Sequence, residues 1–150
     1  ASDGVMSDTS FVVLSKLAVG VDLADIIEIN PIYFDFDKFN IRPDAAVELD
    51  KIVEVLNDYP DMVIELGSHT DCRGSDEYNL WLSSRRAESS ARYVQERIDK
   101  ADRIYGKGFG ETTPNVPSPD GCRTLTEEQH QLNRRTEFII VELGGARTRD

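Results

Sequence analysis

The clearest pattern in the chain begins after Asn30-Pro31, where Ile32, Phe34 and Phe36 alternate with Tyr33, Asp35 and Asp37. A period of two places successive side chains on opposite faces, so this stretch is predicted to be a strand with one buried side. Pro43 then stands where a first helical residue would, followed by Asp44 and Glu48. Ala46, Leu49, Val53 and Leu56 recur at helical spacing, widened by Ala45 and Ile52, until Tyr59-Pro60 ends the helix. Met62, Ile64 and Leu66 alternate with Val63 and Glu65 as a second strand, and Gly67-Ser68 open the turn after it. Ser75 is a good N-cap, with Asp76 and Glu77 in the first turn of a second helix. Leu80, Ser84, Ala87, Ala91, Val94 and Ile98 are its predicted buried stripe.

Arg103 to Phe109 reads as a third strand, and Gly106, Gly108 and Gly110 mark a strand end approached closely by backbone. Pro114, Pro117, Pro119 and Gly121 make 110–124 a long loop. Thr126 with Gln129 is a capping box for a short third helix, and Glu137 to Leu143 is the last strand. Upstream, residues 1–9 are small and polar and expected to fray, and Phe11 to Leu14 suits a short strand. Residues 15–30 carry mixed signals and suit a lead-in that packs on the domain or links it to another. Strands alternating with helices imply parallel pairing in part, hence a mixed sheet with helices packed on it, an α/β (α+β) chain.

Composition narrows the function classes. The 150 residues suit one domain with a short extension, and 39% apolar with 30% charged is ordinary for a globular chain. The formal net charge of -11 repels phosphate backbones and anionic lipid, so nucleic acid is not expected as a partner. A zwitterionic ligand is unaffected, since it needs only one local cation and one local anion. No apolar run is long enough for a membrane helix. No signal-peptide pattern opens the chain, which leaves a removed leader and a longer parent protein both open. Cys72 and Cys122 are the two cysteines, each in a polar, glycine-containing stretch. They are read either as a bridge or as two unrelated thiols; with so few ligands, no metal is expected.

The richest chemistry lies in Ser68-His69-Thr70-Asp71, Tyr78-Asn79, Leu82-Ser83 and Arg86-Ala87. Asp71 follows a strand and precedes a helix, the place where open α/β sheets hold ligands. Asn79, Leu82, Ser83 and Arg86 share one face of that helix, so an acid and a guanidinium are presented near each other. On geometry alone the commoner reading is a structural Asp71–Arg86 salt bridge. Asp35-Phe36-Asp37 also looks like a phosphotransferase Asp-x-Asp nucleophile, but Phe39 stands where a small hydroxylic residue belongs. His69 with Cys72 lacks the third group that would orient a hydrolase pair.

Taken together, Tyr33-Phe34-Asp35-Phe36-Asp37-Lys38, His69-Thr70-Asp71 with Arg73-Gly74, and Asn79…Leu82-Ser83…Arg86-Ala87 resemble the signature of the OmpA C-terminal domain family. Gly108-Phe109-Gly110-Glu111 and Asn133-Arg134-Arg135-Thr136-Glu137-Phe138 extend the resemblance to about Leu143. The insert from Pro114 to His130 and the acidic character are most similar to Bacteroidetes homologues. The resemblance implies a two-layer βαβαβ(α)β sandwich on a mixed four-stranded sheet over 32–143. Residues 1–31 would be an extension or linker and 144–150 a flexible tail.

It also implies a periplasmic, non-enzymatic module with no cofactor that holds peptidoglycan through the meso-diaminopimelate of the stem peptide. The module would anchor an outer-membrane protein whose membrane part lies outside this chain; homo-oligomerisation is left open. Asp71 would take the ligand ammonium and Arg86 its carboxylate, the latter as a bidentate fork. Phe36, Asp37 and Lys38 would line the pocket, with Thr70, Asn79 and Leu82 near the ligand. Helix-start hydrogen bonding competes as the role of Asn79, and plain packing as that of Leu82. His69 is expected to orient the turn, Trp81 to be half-buried packing, and at least one of Arg134 and Arg135 to be structural. A Cys72–Cys122 bridge would tie the long loop beside the pocket. Two other classes stand beside this reading: an assembly module of the same fold with an unused pocket, and a metal-dependent hydrolase around Asp35 and Asp37.

Overall fold

A computed structural model describes residues 17–144, so the expected strand at Phe11 to Leu14 lies outside the described residues. The elements are α1 (Pro43–Asp58), β1 (Val63–His69), α2 (Asp76–Gln95), β2 (Ile104–Gly110), α3 (Glu127–Asn133) and β3 (Arg135–Glu142), with short 3-10 turns between some of them. The sheet has three strands in the order β2-β1-β3. β1 and β2 are parallel, joined through α2, and β3 runs antiparallel to β1.

Local signals account for most boundaries. Pro43 opens α1. The Ser75 hydroxyl accepts from Tyr78 N at the start of α2, and Thr126 and Gln129 close a reciprocal capping box on α3. β1 runs on through Gly67 and Ser68, where the sequence predicts a turn, because both residues pair with strands on either side. A central strand with two partners has no free edge at which to turn.

The four-strand expectation is corrected to three. Ile32 and Phe34 are half-buried as the alternation requires, but 31–35 is not in a strand and Phe36-Asp37 form a turn closed by Lys38 N donating to Asp35 O. The carbonyls of Asp35 and Lys38 accept from the Arg86 guanidinium instead of from a neighbouring strand. Side-chain period survives at Ile32 and Phe34 without a ladder and breaks at Phe36, which is 88% exposed. The outer edge of β3 is met by upstream residues: Gly20 N donates to Ile140 O, Ile140 N to Val21 O, and Phe138 N to the Asp22 carboxylate.

One core unites the layers. Leu49, Ile52 and Leu56 of α1, Ala87, Ala91 and Val94 of α2, Ile64 and Leu66 of β1, and Phe138 and Ile140 of β3 are buried in it, together with Met62, Ile104 and upstream Leu23. Arg103, also buried, donates to the carbonyls of Leu56, Tyr59 and Asp99, closing the chain ends beneath β2.

The stripe expected on α2 is displaced in its first half. Leu82 and Ser83 are buried, whereas Leu80 is exposed. The cause is the glycine face of β2. A Cβ on Gly106 would lie 2.3 Å from Ala87 O, one on Gly108 2.2 Å from Ser84 N, and one on Gly110 3.3 Å from Leu80 Cα. The helix backbone along Leu80, Ser84 and Ala87 therefore rests directly on the strand, and the side chains flanking that line turn inward. Gly108→Ala is expected to lose about 3 kcal/mol or more of stability through overpacking, read by urea denaturation. A variant within 0.5 kcal/mol of wild type, roughly the range of a neutral surface change, would contradict the contact.

Candidate ligand site

Asp71 sits just past β1, 7% exposed. One carboxylate oxygen accepts from Arg73 N at 2.9 Å; the other accepts from Arg73 Nη2 at 2.8 Å and Arg134 Nη1 at 2.6 Å. Burial pushes its pKa upward, but the bonds from Arg73 and Arg134 outweigh that and hold it at about 2, below the ordinary 3.8. Glu127, at the start of α3, accepts from both guanidiniums, at 3.1 Å from Arg73 and 2.8 Å from Arg134. Two acids and two guanidiniums thus close a ring at the end of the sheet, and the cations that pair with Asp71 are Arg73 and Arg134 rather than Arg86.

Arg86 is half-buried on α2. Nε donates to Lys38 O at 2.9 Å, Nη2 to Asp35 O at 3.2 Å, and the guanidinium lies 4.9 Å from the Phe34 ring centroid. Burial lowers its pKa, while Tyr78 and Asp37 nearby pull the other way. Nη1 carries no hydrogen-bond partner among the described residues. Asp37 has φ +58° at the turn and its carboxylate accepts from the Tyr78 hydroxyl. Short polar residues such as Asp tolerate this left-handed region better than most.

Arg86 and Arg134 line one cavity of about 450 Å³, which also takes in Tyr33, Phe34, Ser68, His69 and Arg135. Asp71 is not among the residues that line this cavity, and its link to it is the ion pair with Arg134. None of the remaining expected pocket residues (Phe36, Asp37, Lys38, Thr70, Asn79 and Leu82) lines it. Asn79 is buried and gives its amide to Arg73 O at 3.0 Å, Glu111 at 3.2 Å and Asp71 O at 3.4 Å, so it props the Asp71 loop. Leu82 is 6% exposed and sits with the buried side chains. Thr70 N donates to Gly110 O, and its buried hydroxyl has no partner among the described residues. Phe36 is 88% exposed, and Lys38 contributes its carbonyl.

His69 is stacked on Phe109 with centroids 4.8 Å apart, and its ring nitrogens face Glu137 at 2.8 Å and Thr113 at 3.2 Å. Burial and the Arg135 charge lower its pKa, against the pull of Glu137. Glu127 escapes sequence reasoning, and Tyr78 is singled out there without a role: only the fold brings Arg73 and Arg134 to the first and Asp37 to the second.

Cys72 and Cys122 are joined, sulfur to sulfur at 2.05 Å, tying the Asp71 loop to the long loop before α3. His130 lies with these sulfurs within 4.8 Å, but bonded sulfurs present no thiolate to a metal. Among the described residues no helix is long and apolar enough to cross a membrane.

Comparison with known proteins bears on this geometry. The profile of the OmpA family matches residues 33–123. The chain is 33% identical over 106 residues to the peptidoglycan-associated lipoprotein of Pasteurella multocida, covering 71% of this chain and 67% of that protein. It is 38% identical over 111 residues to photosystem I P700 chlorophyll a apoprotein A2 of Gloeobacter violaceus, covering 73% of this chain and 12% of that protein. The match to outer membrane porin F of Pseudomonas fluorescens likewise spans only 31% of the relative, so several relatives are much longer than the shared part. Among solved structures, the peptidoglycan-associated lipoprotein from Burkholderia pseudomallei aligns with a TM-score of 0.60 at 26% identity, over 73% of this chain and 87% of that one. The cell wall anchor of the T6SS from Pseudomonas aeruginosa aligns at 0.61 and 22%, over 75% of each.

Two outcomes follow from the ring around Asp71 and the bridge beside it. A carboxylate with a depressed folded pKa stabilises fully above the ordinary 3.8 and loses that contribution as pH falls through about 2. The stability lead of wild type over Asp71→Asn in thermal melts should therefore be largest near neutrality and vanish in acid; a lead independent of pH would refute the network. Replacing both cysteines with serine opens a loop of sequence separation 50, and denaturation should register a loss of roughly 4 kcal/mol.

Proposed function

The chain belongs to the OmpA family, and from that membership we propose that it is a non-catalytic periplasmic module that grips peptidoglycan through the diaminopimelate of the stem peptide. In this reading it anchors an outer-membrane protein to the cell wall. The observation that carries the reading is Arg86: a half-buried guanidinium fixed by the Asp35 and Lys38 carbonyls, with Nη1 left to a guest, on the wall of a cavity shared with Arg134. A guanidinium held in place by Nε and Nη2 offers Nη1 to a carboxylate with little ordering cost.

The ammonium falls to Asp71. Its oxygens are already occupied, and Arg73 is the partner able to leave, because its side chain is 51% exposed while that of Arg134 is 32% exposed. Arg73 then holds the place of the ligand ammonium in the free protein. Exchanging one cation for another keeps the buried carboxylate neutralised throughout, which avoids an unpaired charge. Stem peptides with lysine in place of diaminopimelate lack the second carboxylate and leave Arg86 without its guest, which disfavours them.

The second reading, an assembly module whose pocket is unused, is favoured by one observation, the occupation of both Asp71 oxygens. Co-sedimentation with diaminopimelate-type sacculi separates the two. Arg86→Ala and Asp71→Ala should each weaken binding by about 30-fold or more, the cost of stranding one member of a desolvated charge pair. Arg73→Ala should bind as well as wild type or better, since it removes the competitor. Undiminished binding in both Arg86→Ala and Asp71→Ala, or wild type that ignores sacculi while retaining its fold, refutes the proposal.

A further inference from the structure

The turn after the cavity and the first turns of α2 carry an exposed aromatic surface that the peptide clamp does not use. Phe36 is 88% exposed, Trp81 46%, Phe39 39% and Tyr78 38%. Three of the rings are contiguous: Phe39 meets Trp81 edge to face with centroids 6.0 Å apart, and Tyr78 tilts against Trp81 at 6.0 Å. Tyr78 also binds Asp37, next to the Lys38 carbonyl that holds Arg86. The surface is therefore continuous with the proposed site.

We propose that this surface is a stacking platform for a neutral sugar ring of the peptidoglycan glycan strand, the sugar that bears the bound stem peptide. The inference rests on the peptidoglycan reading. Three features select a sugar. A pyranose offers one flat face of C–H groups to aromatic rings and a rim of hydroxyls and amides to polar neighbours, and Asp37, bonded to Tyr78, with the exposed Asp76 and Glu77 just before Tyr78 in the chain, offers acceptors beside the rings. Those acidic side chains disfavour anionic lipid. Four side chains are too few for a stable protein interface, which takes about 20–30 residues a side.

The spacing agrees. Trp81 and Tyr78 precede Arg86 by about 7 and 12 Å along the helix axis. A stem peptide reaches its sugar within a few residues, on the order of 10 Å.

Isothermal titration with two synthetic ligands tests the platform: a diaminopimelate-containing stem peptide, and the same peptide attached to its N-acetylated disaccharide. Wild type should bind the disaccharide-peptide about tenfold more tightly, a ratio within reach of one or two aromatic contacts. Trp81→Ala and Phe39→Ala should each reduce that ratio toward one while leaving bare-peptide affinity in place, and Trp81→Phe should restore part of it. Equal wild-type affinity for the two ligands, or a ratio unchanged in both alanine variants, overturns the platform with the peptide clamp intact. Failure of wild type to bind even the bare peptide overturns the clamp itself, and the platform falls with it. Capture by acidic phospholipid vesicles, or a concentration-dependent dimer abolished by Trp81→Ala, would assign the rings to another occupant and likewise overturn it.

Discussion

Helix α2 lies on β2 with almost nothing between the two backbones. Gly106, Gly108 and Gly110 present a face without Cβ atoms, and Ala87, Ser84 and Leu80 settle onto it. Everything near the site follows from that approach. It sets the rotation of α2, so that Asn79, Leu82 and Ser83 turn inward and Leu80 outward. It brings Ser83 Oγ to Gly110 N at 2.9 Å and Asn79 beneath the Asp71 loop. Seven residues beyond Asn79, the same face carries Arg86 to the cavity wall. A bulkier strand would push the helix outward and carry the guanidinium with it.

Electrostatic order at the end of the sheet is then a matter of neutralising what the packing has buried. Asp71 at 7% exposure cannot stay ionised without partners. Arg73 comes from its own loop, Arg134 from across the sheet at the foot of α3, and Glu127 balances both. The Cys72–Cys122 bridge fixes the loop that leads into α3 against the residue following Asp71. The ring is thus assembled from two chain segments far apart in sequence, and the covalent link holds them in register.

Elements with strong local signals are legible in the amino-acid sequence. Pro43, the Ser75 cap and the Thr126–Gln129 box mark helix starts that the fold realises within a residue. The core of β1, with Met62, Ile64 and Leu66, follows from alternation alone. Alternation reports the half-buried side chains of Ile32 and Phe34 but fails on Phe36, which the turn exposes, and is silent on where the backbone donors and acceptors go. There the acceptors go to Arg86. The stripe on α2 is misread in its first half because apolar character is taken to mark the buried side, while a glycine strand can bury helix backbone and leave Leu80 outside. Asp71 and Arg86 stand out by residue type and position. Their pairing does not: Arg73 lies two residues from Asp71, but Arg134 and the Asp35 and Lys38 carbonyls reach the two residues only through tertiary contacts.

A chain of net charge -11 that offers guanidiniums at one end of its sheet separates its global field from its local one. At physiological ionic strength the screening length is about 8 Å, so the distant carboxylates scarcely act on a guest in the cavity, whereas Arg86 and Arg134 do. The acidic remainder repels polyanions approaching from solution, which disfavours nucleic acids and anionic lipid at the same guanidiniums. On the proposed reading, what is left to select a ligand is short-range: the fixed guanidinium of Arg86, the Asp71 carboxylate in exchange of one cation for another, and a cavity beside a helix resting on glycine. On the proposed reading those three constraints converge on a small zwitterion, because a lone anion satisfies only the first and a lone cation only the second.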